Sequence, residues 1–282
     1  MLLIADSGST KTSWALCQGE QTLPFRTLGF HPKGLTVDIA RDSIAQAWPH
    51  RINYEAVTEV SFYGAGCLRE TGAAVVRNIL TDLYPNASVD VRSDLEGTAI
   101  STLGQKIGIA AILGTGSSAA YWDGETLTEV SPSLGYILGD EGSAADLGIQ
   151  ILRSVLYGNT PPDILETFRK HFPQNTETII AEIYGLTHPG QVLGQIGGLL
   201  EKMPDHPFTH ALVNDRLLEF INRHILPLAG KEHLLIGFNG SVAAAYEKQL
   251  RTLLREKGYD DVIIVKEPLP QLITFHKKTR NS

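Results

Sequence analysis

The chain opens on an apolar run, Leu2-Leu3-Ile4-Ala5-Asp6, which breaks into Ser7-Gly8-Ser9-Thr10-Lys11-Thr12 and resumes as Ser13-Trp14-Ala15-Leu16. The arrangement returns downstream as Ala110-Ala111-Ile112-Leu113, then Gly114-Thr115-Gly116-Ser117-Ser118, then Ala119-Ala120-Tyr121-Trp122. Short apolar runs bounded by glycine and hydroxyl residues predict buried strands, so the chain reads as a duplicated unit. In the first copy the pattern predicts strands over 2–6, 12–18 and about 22–27, a helix over about 36–48, and a strand over 57–63. Helical spacing from Ala73 to Leu83, a strand from Ala87 to Val91 and a helix from Asp94 to Leu103 complete it.

The second copy restarts at Ile107, turns at Asp123-Gly124 and is helical from Asp140 to about Gly158. A proline-punctuated, mostly helical middle follows, and the strand pattern returns at His233-Leu234-Leu235-Ile236. A helix over about 242–256, a strand Val262–Val265 and a closing helix with Leu269, Leu272, Ile273 and His276 on one face end the chain. Gly104-Gln105-Lys106 interrupts the periodicity. The expected organisation is therefore α/β, with one domain over 1–105, a second with a helical insertion over 106–267, and a segment 268–282 docking back on the first.

Composition narrows the class. With 282 residues, 43% of them hydrophobic and 20% charged, the chain can bury two cores. No apolar stretch nears the ~18 residues of a membrane helix, and the N-terminus runs into a strand without a basic or cleavable leader. Two cysteines, Cys17 and Cys67, are too few for a disulfide framework. A cytoplasmic location is the resulting expectation. The net charge of -7, with basic residues clustered only at Lys277-Lys278-Thr279-Arg280, argues against a nucleic-acid partner. The nine histidines lack HxxxH or HxH spacing, so no histidine metal site is expected.

The paired loops carry the candidate chemistry. Gly8-Ser9-Thr10-Lys11 and Gly114-Thr115-Gly116-Ser117 combine glycines, which admit close approach to the backbone, with hydroxyl donors. That combination suits a polyphosphate. Asp6, at the carboxyl end of the first strand, is placed to hold Mg²⁺ directly or through water, or else simply forms the turn. Lys11 reads as a phosphate-reaching point charge or as a surface lysine. Gly237-Phe238-Asn239-Gly240-Ser241 leads from a buried strand into a helix, offering N–H groups to an anion unless Asn239 or Ser241 caps that helix. Asp94, between strand and helix, reads first as an N-cap and second as a general base. Asp140 and Glu141, flanked by Gly139 and Gly142, complement a helix dipole or accept hydrogen bonds from substrate hydroxyls.

Taken in order, DSGSTKT, YGAGC, SDLEGTA, ILGTGSSA, LGDEGSA and GFNGS resemble the N-acetylglucosamine kinase and BadF-type ATPase family, in the superfamily of actin, the heat-shock ATPases and the sugar kinases. The resemblance runs from residue 2 to about residue 266. It implies two ribonuclease-H-like, actin-like ATPase domains with a nucleotide cleft between them, and ATP and Mg²⁺ as cofactors. By position it implies Asp6 holding Mg²⁺ through water, Gly8, Ser9, Thr10 and Lys11 as the first phosphate loop, and Gly114, Thr115, Gly116 and Ser117 as the second. It further implies Gly240 and Ser241 against the adenosine and Asp94 as the catalytic base. Asp140 and the loop Gly64-Ala65-Gly66 fall on the sugar side, as does His31, which stands with Pro32 where relatives often have Asn-Pro. Pro268-Leu269-Pro270-Gln271-Leu272 lacks the glycine that relatives carry there.

The implied activity is ATP-dependent phosphorylation of an amino sugar, N-acetylglucosamine at its 6-hydroxyl being the leading substrate. The alternatives are an ATPase that activates a dehydratase or reductase, and a sugar-binding regulator that retains the ATP cleft. Iron–sulfur relatives of the former place their cysteines late in the chain, whereas Cys17 and Cys67 fall early. Relatives often pair, so a homodimer is allowed by the sequence, which does not decide it.

Overall fold

The structure, a computed structural model, describes residues 1–49, 53–186, 189–230 and 234–281. Among these, strand begins at Leu235, while His233 lies outside the described residues. The chain divides into two compact units, Met1–Gln105 with Glu267–Ser282, and Lys106–Lys266.

In the first unit β1 (Leu2–Ser7), β2 (Lys11–Gln18) and β3 (Gln21–Leu28) form an antiparallel meander. After α1 (Val37–Ala47), β4 (Glu59–Gly64) pairs parallel to β1, and β5 (Ser88–Ser93) pairs parallel to β4 across the helical crossover α2 (Glu70–Leu83). The sheet order is β3-β2-β1-β4-β5. β1 and β4 are apolar on both faces because helices cover both. On one face Trp14, buried on β2, stacks on Phe25 at 5.8 Å and meets Phe30 edge-on at 5.3 Å. On the other lies α3 (Asp94–Thr102), buried almost throughout, with α13 (Leu269–Asn281) against α3, β1 and β2.

The second unit repeats this plan. β6 (Gly108–Leu113), β7 (Ser117–Trp122) and β8 (Leu127–Val130) form the meander, and β9 (Leu235–Asn239) and β10 (Val262–Val265) extend it in parallel, in the order β10-β9-β6-β7-β8. Each strand thus has a counterpart in the first sheet, which is the duplication that the repeated loops announce. Between β8 and β9 lie α4 (Gly135–Leu138), α5 (Ala144–Leu156), α6 (Pro162–His171), α7 (Thr176–Gly185), α8 (Pro189–Gly197), α9 (Pro207–Phe220) and α10 (Leu226–Ala229). Gly148 on α5 and Gly197 on α8 let these helices touch, since a Cβ at Gly148 would lie 1.9 Å from the Leu193 carbonyl oxygen.

Two helices depart from expectation. The helix expected from Asp140 begins at Ala144, capped by the Ser143 side chain, so Asp140 and Glu141 belong to the preceding loop and do not complement its first turn. The helix expected over about 242–256 is broken at Tyr246 into α11 (Ser241–Ala245) and α12 (Glu247–Glu256). Neither Asn239 nor Ser241 caps it; the cap position is Gly240, at φ 124°, with no side-chain bond.

Candidate active site

The ends of β1, β4 and β5 gather the charged groups of the first unit. Asp94 is the first residue of α3 and is not its cap: Ser93 accepts the Glu96 N–H, while Glu96 returns a bond to the Ser93 N–H at 2.9 Å. This capping box satisfies the helix end and frees the Asp94 carboxyl from cap duty. Ser93-Asp94-Leu95-Glu96 carries the S-x-x-E signature of such a box, which points to Ser93 and away from Asp94. The Asp94 carboxyl accepts the Leu95 N–H at 3.0 Å. Burial pushes its carboxyl up to about 6, against the pull of that bond. Asp6, half-buried on β1, is pushed up to about 7 by burial and then by the Asp94 charge, with Lys11 acting in the opposite direction.

The loop between β1 and β2 closes by a Gly8 N–H bond to the Lys11 carbonyl at 3.0 Å, leaving Gly8 to Lys11 exposed. Its rear is held rigidly. The Ser7 and Thr12 hydroxyls lie 2.8 Å apart and both accept from the Phe30 N–H, while Gly29 donates to the Thr10 carbonyl at 3.1 Å. A Cβ at Gly29 would stand 2.6 Å from the Gly8 carbonyl oxygen. That close approach explains a glycine at a position the sequence alone did not single out. Lys11 pairs with Glu267 at 3.3 Å, beside Arg26.

The candidate sugar-side residues of this unit come together. The Ala65 N–H donates to the Ser7 carbonyl at 2.9 Å, tying the Gly64-Ala65-Gly66 loop to the end of β1. Gly66 is left-handed at φ 80°, and a Cβ there would lie 2.9 Å from His31 Nε2 and equally close to Pro32. His31 Nδ1 accepts the Lys33 N–H at 3.2 Å, directing Nε2 toward Gly66.

In the second unit the loop between β6 and β7 is anchored through its carbonyls: Gly114 accepts the Ala144 N–H at 2.8 Å and Thr115 the Ala145 N–H at 3.1 Å. Its own N–H groups at Thr115 and Gly116 donate to no described protein acceptor, and the buried Ser117 hydroxyl has no partner. Asp140 sits over this loop, accepting the Ser117 N–H at 3.3 Å. Burial raises its pKa against that bond. Gly240 lies behind the loop, where a Cβ would meet the Leu113 carbonyl oxygen at 2.2 Å.

Several residues around Asp140 carry no local sequence signal. His224, on a π-helical turn (Ile221–Ile225) after α9, lies 2.9 Å from Glu141 through Nε2 and 2.5 Å from Ser131 through Nδ1. Asp146 accepts from the Gly142 N–H at 2.9 Å and from Arg216 at 2.8 Å. These partners lie far apart in the chain, and only the fold unites them.

The groups present fit a phosphate ligand and a hard cation. The unbonded Thr115 and Gly116 N–H groups and the partnerless buried Ser117 hydroxyl suit phosphate oxygens. The Asp6 carboxyl makes no hydrogen bond to a described protein group, and among the described residues no cluster of three or more His, Cys, Asp or Glu could hold a metal. A single carboxylate matches Mg²⁺, which keeps several waters and takes phosphate oxygens for the rest. No described helix is long and apolar enough to cross a membrane.

No protein-family model and no curated protein matches the chain. Solved structures do. A candidate N-acetylglucosamine kinase from Chromobacterium violaceum aligns at 15% identity and TM-score 0.77 over 97% of this chain and 98% of its own. A ROK family glucokinase from Streptomyces griseus, solved with glucose and AMPPNP, aligns at 16% identity and TM-score 0.64 over 93% of each chain. Both share the actin-like ATPase fold. A candidate N-acetylglucosamine kinase from Porphyromonas gingivalis is 31% identical, with a TM-score of 0.91, over 99% of this chain and 100% of its own. With that identity sustained along the entire length of both, the chain belongs to the N-acetylglucosamine kinase family of the actin-like ATPase superfamily.

Proposed function

We propose that the protein is a sugar kinase that transfers the γ-phosphoryl group of ATP to the 6-hydroxyl of N-acetylglucosamine. The observation that carries the chemistry is Asp94: a half-buried carboxyl at a helix start whose capping is done by Ser93, raised to about 6 and so ionised at neutral pH yet basic enough to take a proton. In this reading Asp94 accepts the proton of the attacking hydroxyl. The exposed Gly8–Lys11 loop and the unbonded Thr115 and Gly116 N–H groups of the second loop bind phosphate oxygens and spread the charge of a loose, charge-rich transition state. Lys11 exchanges its Glu267 partner for phosphate, a modest cost for an exposed pair. Gly240 and Ser241 border the adenosine. Mg²⁺, held by Asp6 through water, would neutralise phosphate charge when bound. Asp140, His31 and the Gly64–Gly66 loop bind the sugar's hydroxyl and acetamido groups. The cytoplasm, with its ATP and reducing conditions, suits the free, buried Cys17 and Cys67.

The test is a coupled ADP-release assay across N-acetylglucosamine, glucosamine, N-acetylmannosamine, N-acetylmuramic acid and glucose, with a no-sugar control. The expected result is sugar-dependent ADP release, highest with N-acetylglucosamine and with 6-phosphate as product. ADP release that ignores every sugar overturns the reading.

A further inference from the structure

Asp140, at φ 57°, is the sole described non-glycine residue with a positive φ. A left-handed conformation costs such a residue on the order of 1–3 kcal/mol and persists only where its surroundings impose it. The neighbours on either side of this turn show what imposes it. Asp140 itself reaches the Ser117 N–H, while Glu141 is drawn the other way, to His224.

The second anchor is a buried chain of polar groups. Ser131 and His224 are each only 6% exposed. A carboxylate only accepts, so His224 donates from Nε2 to Glu141, while its Nδ1 shares a hydrogen bond with the Ser131 hydroxyl. Phe220 stacks on the ring at 5.0 Å, and the Ser131 N–H is fixed to the Ala119 carbonyl at 2.9 Å. Burial alone would raise the Glu141 carboxyl; the His224 bond, a backbone bond and the neighbouring His224 and Arg223 together outweigh it and hold the group below the usual carboxylate range. His224 belongs to a π-helical turn, a local widening that is rare and concentrated at functional sites. The phosphate loop meets this chain through the Asp140–Ser117 bond, while its carbonyls at Gly114 and Thr115 are held separately by the Ala144 and Ala145 N–H groups.

We propose that Ser131, His224 and Glu141 form a positioning relay that holds Asp140 in its left-handed conformation and so sets the affinity for sugar far more than that for nucleotide, whose loop has its own carbonyl anchors. The inference rests on the assignment of Asp140 to the sugar. Losing the relay lets the turn relax toward ordinary backbone, swinging the Asp140 carboxylate away from where a sugar hydroxyl meets it.

The experiment compares His224→Ala, His224→Gln and Ser131→Ala with the wild type, measuring N-acetylglucosamine binding by calorimetry without nucleotide, KM for sugar and for ATP, and melting temperature. His224→Ala should raise the sugar Kd and KM roughly 10- to 100-fold, as displacement of a positioned group by about 1 Å does, while the ATP KM stays within about 2-fold. His224→Gln, whose amide can donate to Glu141 and accept from Ser131, should recover most of that loss; Ser131→Ala should show a smaller loss of the same kind. Should His224→Ala not fold, the other two variants carry the comparison. Sugar affinity unchanged in the folded variants, an ATP KM that rises with the sugar KM, or a native-melting His224→Gln variant without recovery overturns the relay. A wild type that binds no amino sugar overturns the proposed function, and the relay with it.

Discussion

Replacing Asp94 with asparagine should make the protein more stable and far less active, with a pH signature that separates the two effects. The amide is isosteric, and its oxygen can still accept the Leu95 N–H now bonded at 3.0 Å. What is lost is the charge. Burial raises the carboxyl from 3.8 to about 6 in the folded state, so ionisation is disfavoured there relative to the unfolded chain. A raised folded pKa means that the group's contribution is fully present below about pH 4 and is lost as pH rises through 6. At 1.36 kcal/mol per pKa unit the ionised group costs up to about 3 kcal/mol above pH 7, and about 1–3 kcal/mol after allowance for the solvent still reaching a half-buried carboxyl. Asp94→Asn should therefore raise the melting temperature by roughly 3–10 °C at pH 8 and leave it unchanged near pH 4. The direction is reinforced because the Asp94 charge also raises Asp6. In the same variant sugar phosphorylation should fall by about 10²- to 10⁴-fold with ATP affinity nearly unchanged. Thermal melts from pH 4 to 8, calorimetry with an ATP analogue and the ADP-release assay read all three. A variant no more stable than wild type at pH 8, or a gain independent of pH, refutes the buried-charge argument; turnover within about tenfold of wild type refutes the base.

Wild-type kcat/KM should decline on the acid side as the Asp94 base protonates, with a limb near pH 6 that Asp94→Asn removes from whatever activity remains. Ser117→Ala removes a buried hydroxyl that has no protein partner, so stability should hold or improve, while the ATP KM rises by about tenfold if that hydroxyl serves a phosphate. Gly240→Ala should destabilise the protein by at least about 2 kcal/mol in urea titrations, since its Cβ would lie 2.2 Å from a backbone oxygen at a φ of 124°. Arg216→Met should cost roughly 3–5 kcal/mol by stranding the buried Asp146 carboxylate 2.8 Å away, measured as a shift in urea midpoint.

Much of the fold was legible in the chain itself. Most of the ten strands are short apolar or alternating runs, and this local contrast let nine of them be anticipated; Leu127–Val130, exposed except at Leu127, has no such pattern. The duplicated loops were legible for the same reason, because a strand that must end in a tight, exposed turn needs glycine there. The ordered motifs carried the family assignment and with it the proposed roles of Asp6, Asp94 and Asp140. Tertiary structure decided the rest. The capping at Asp94 is the exception, a local matter that the S-x-x-E pattern of Ser93 and Glu96 already encodes. The raised pKa of Asp94 came from burial in the folded state. The turn at Asp140 depended on Ser117, 23 residues away, and on the Glu141–His224 bond across 83 residues. Periodicity reports which face of an element is buried; it carries no record of which distant polar group will meet another once water is excluded, and that pairing governs the chemistry of buried charges.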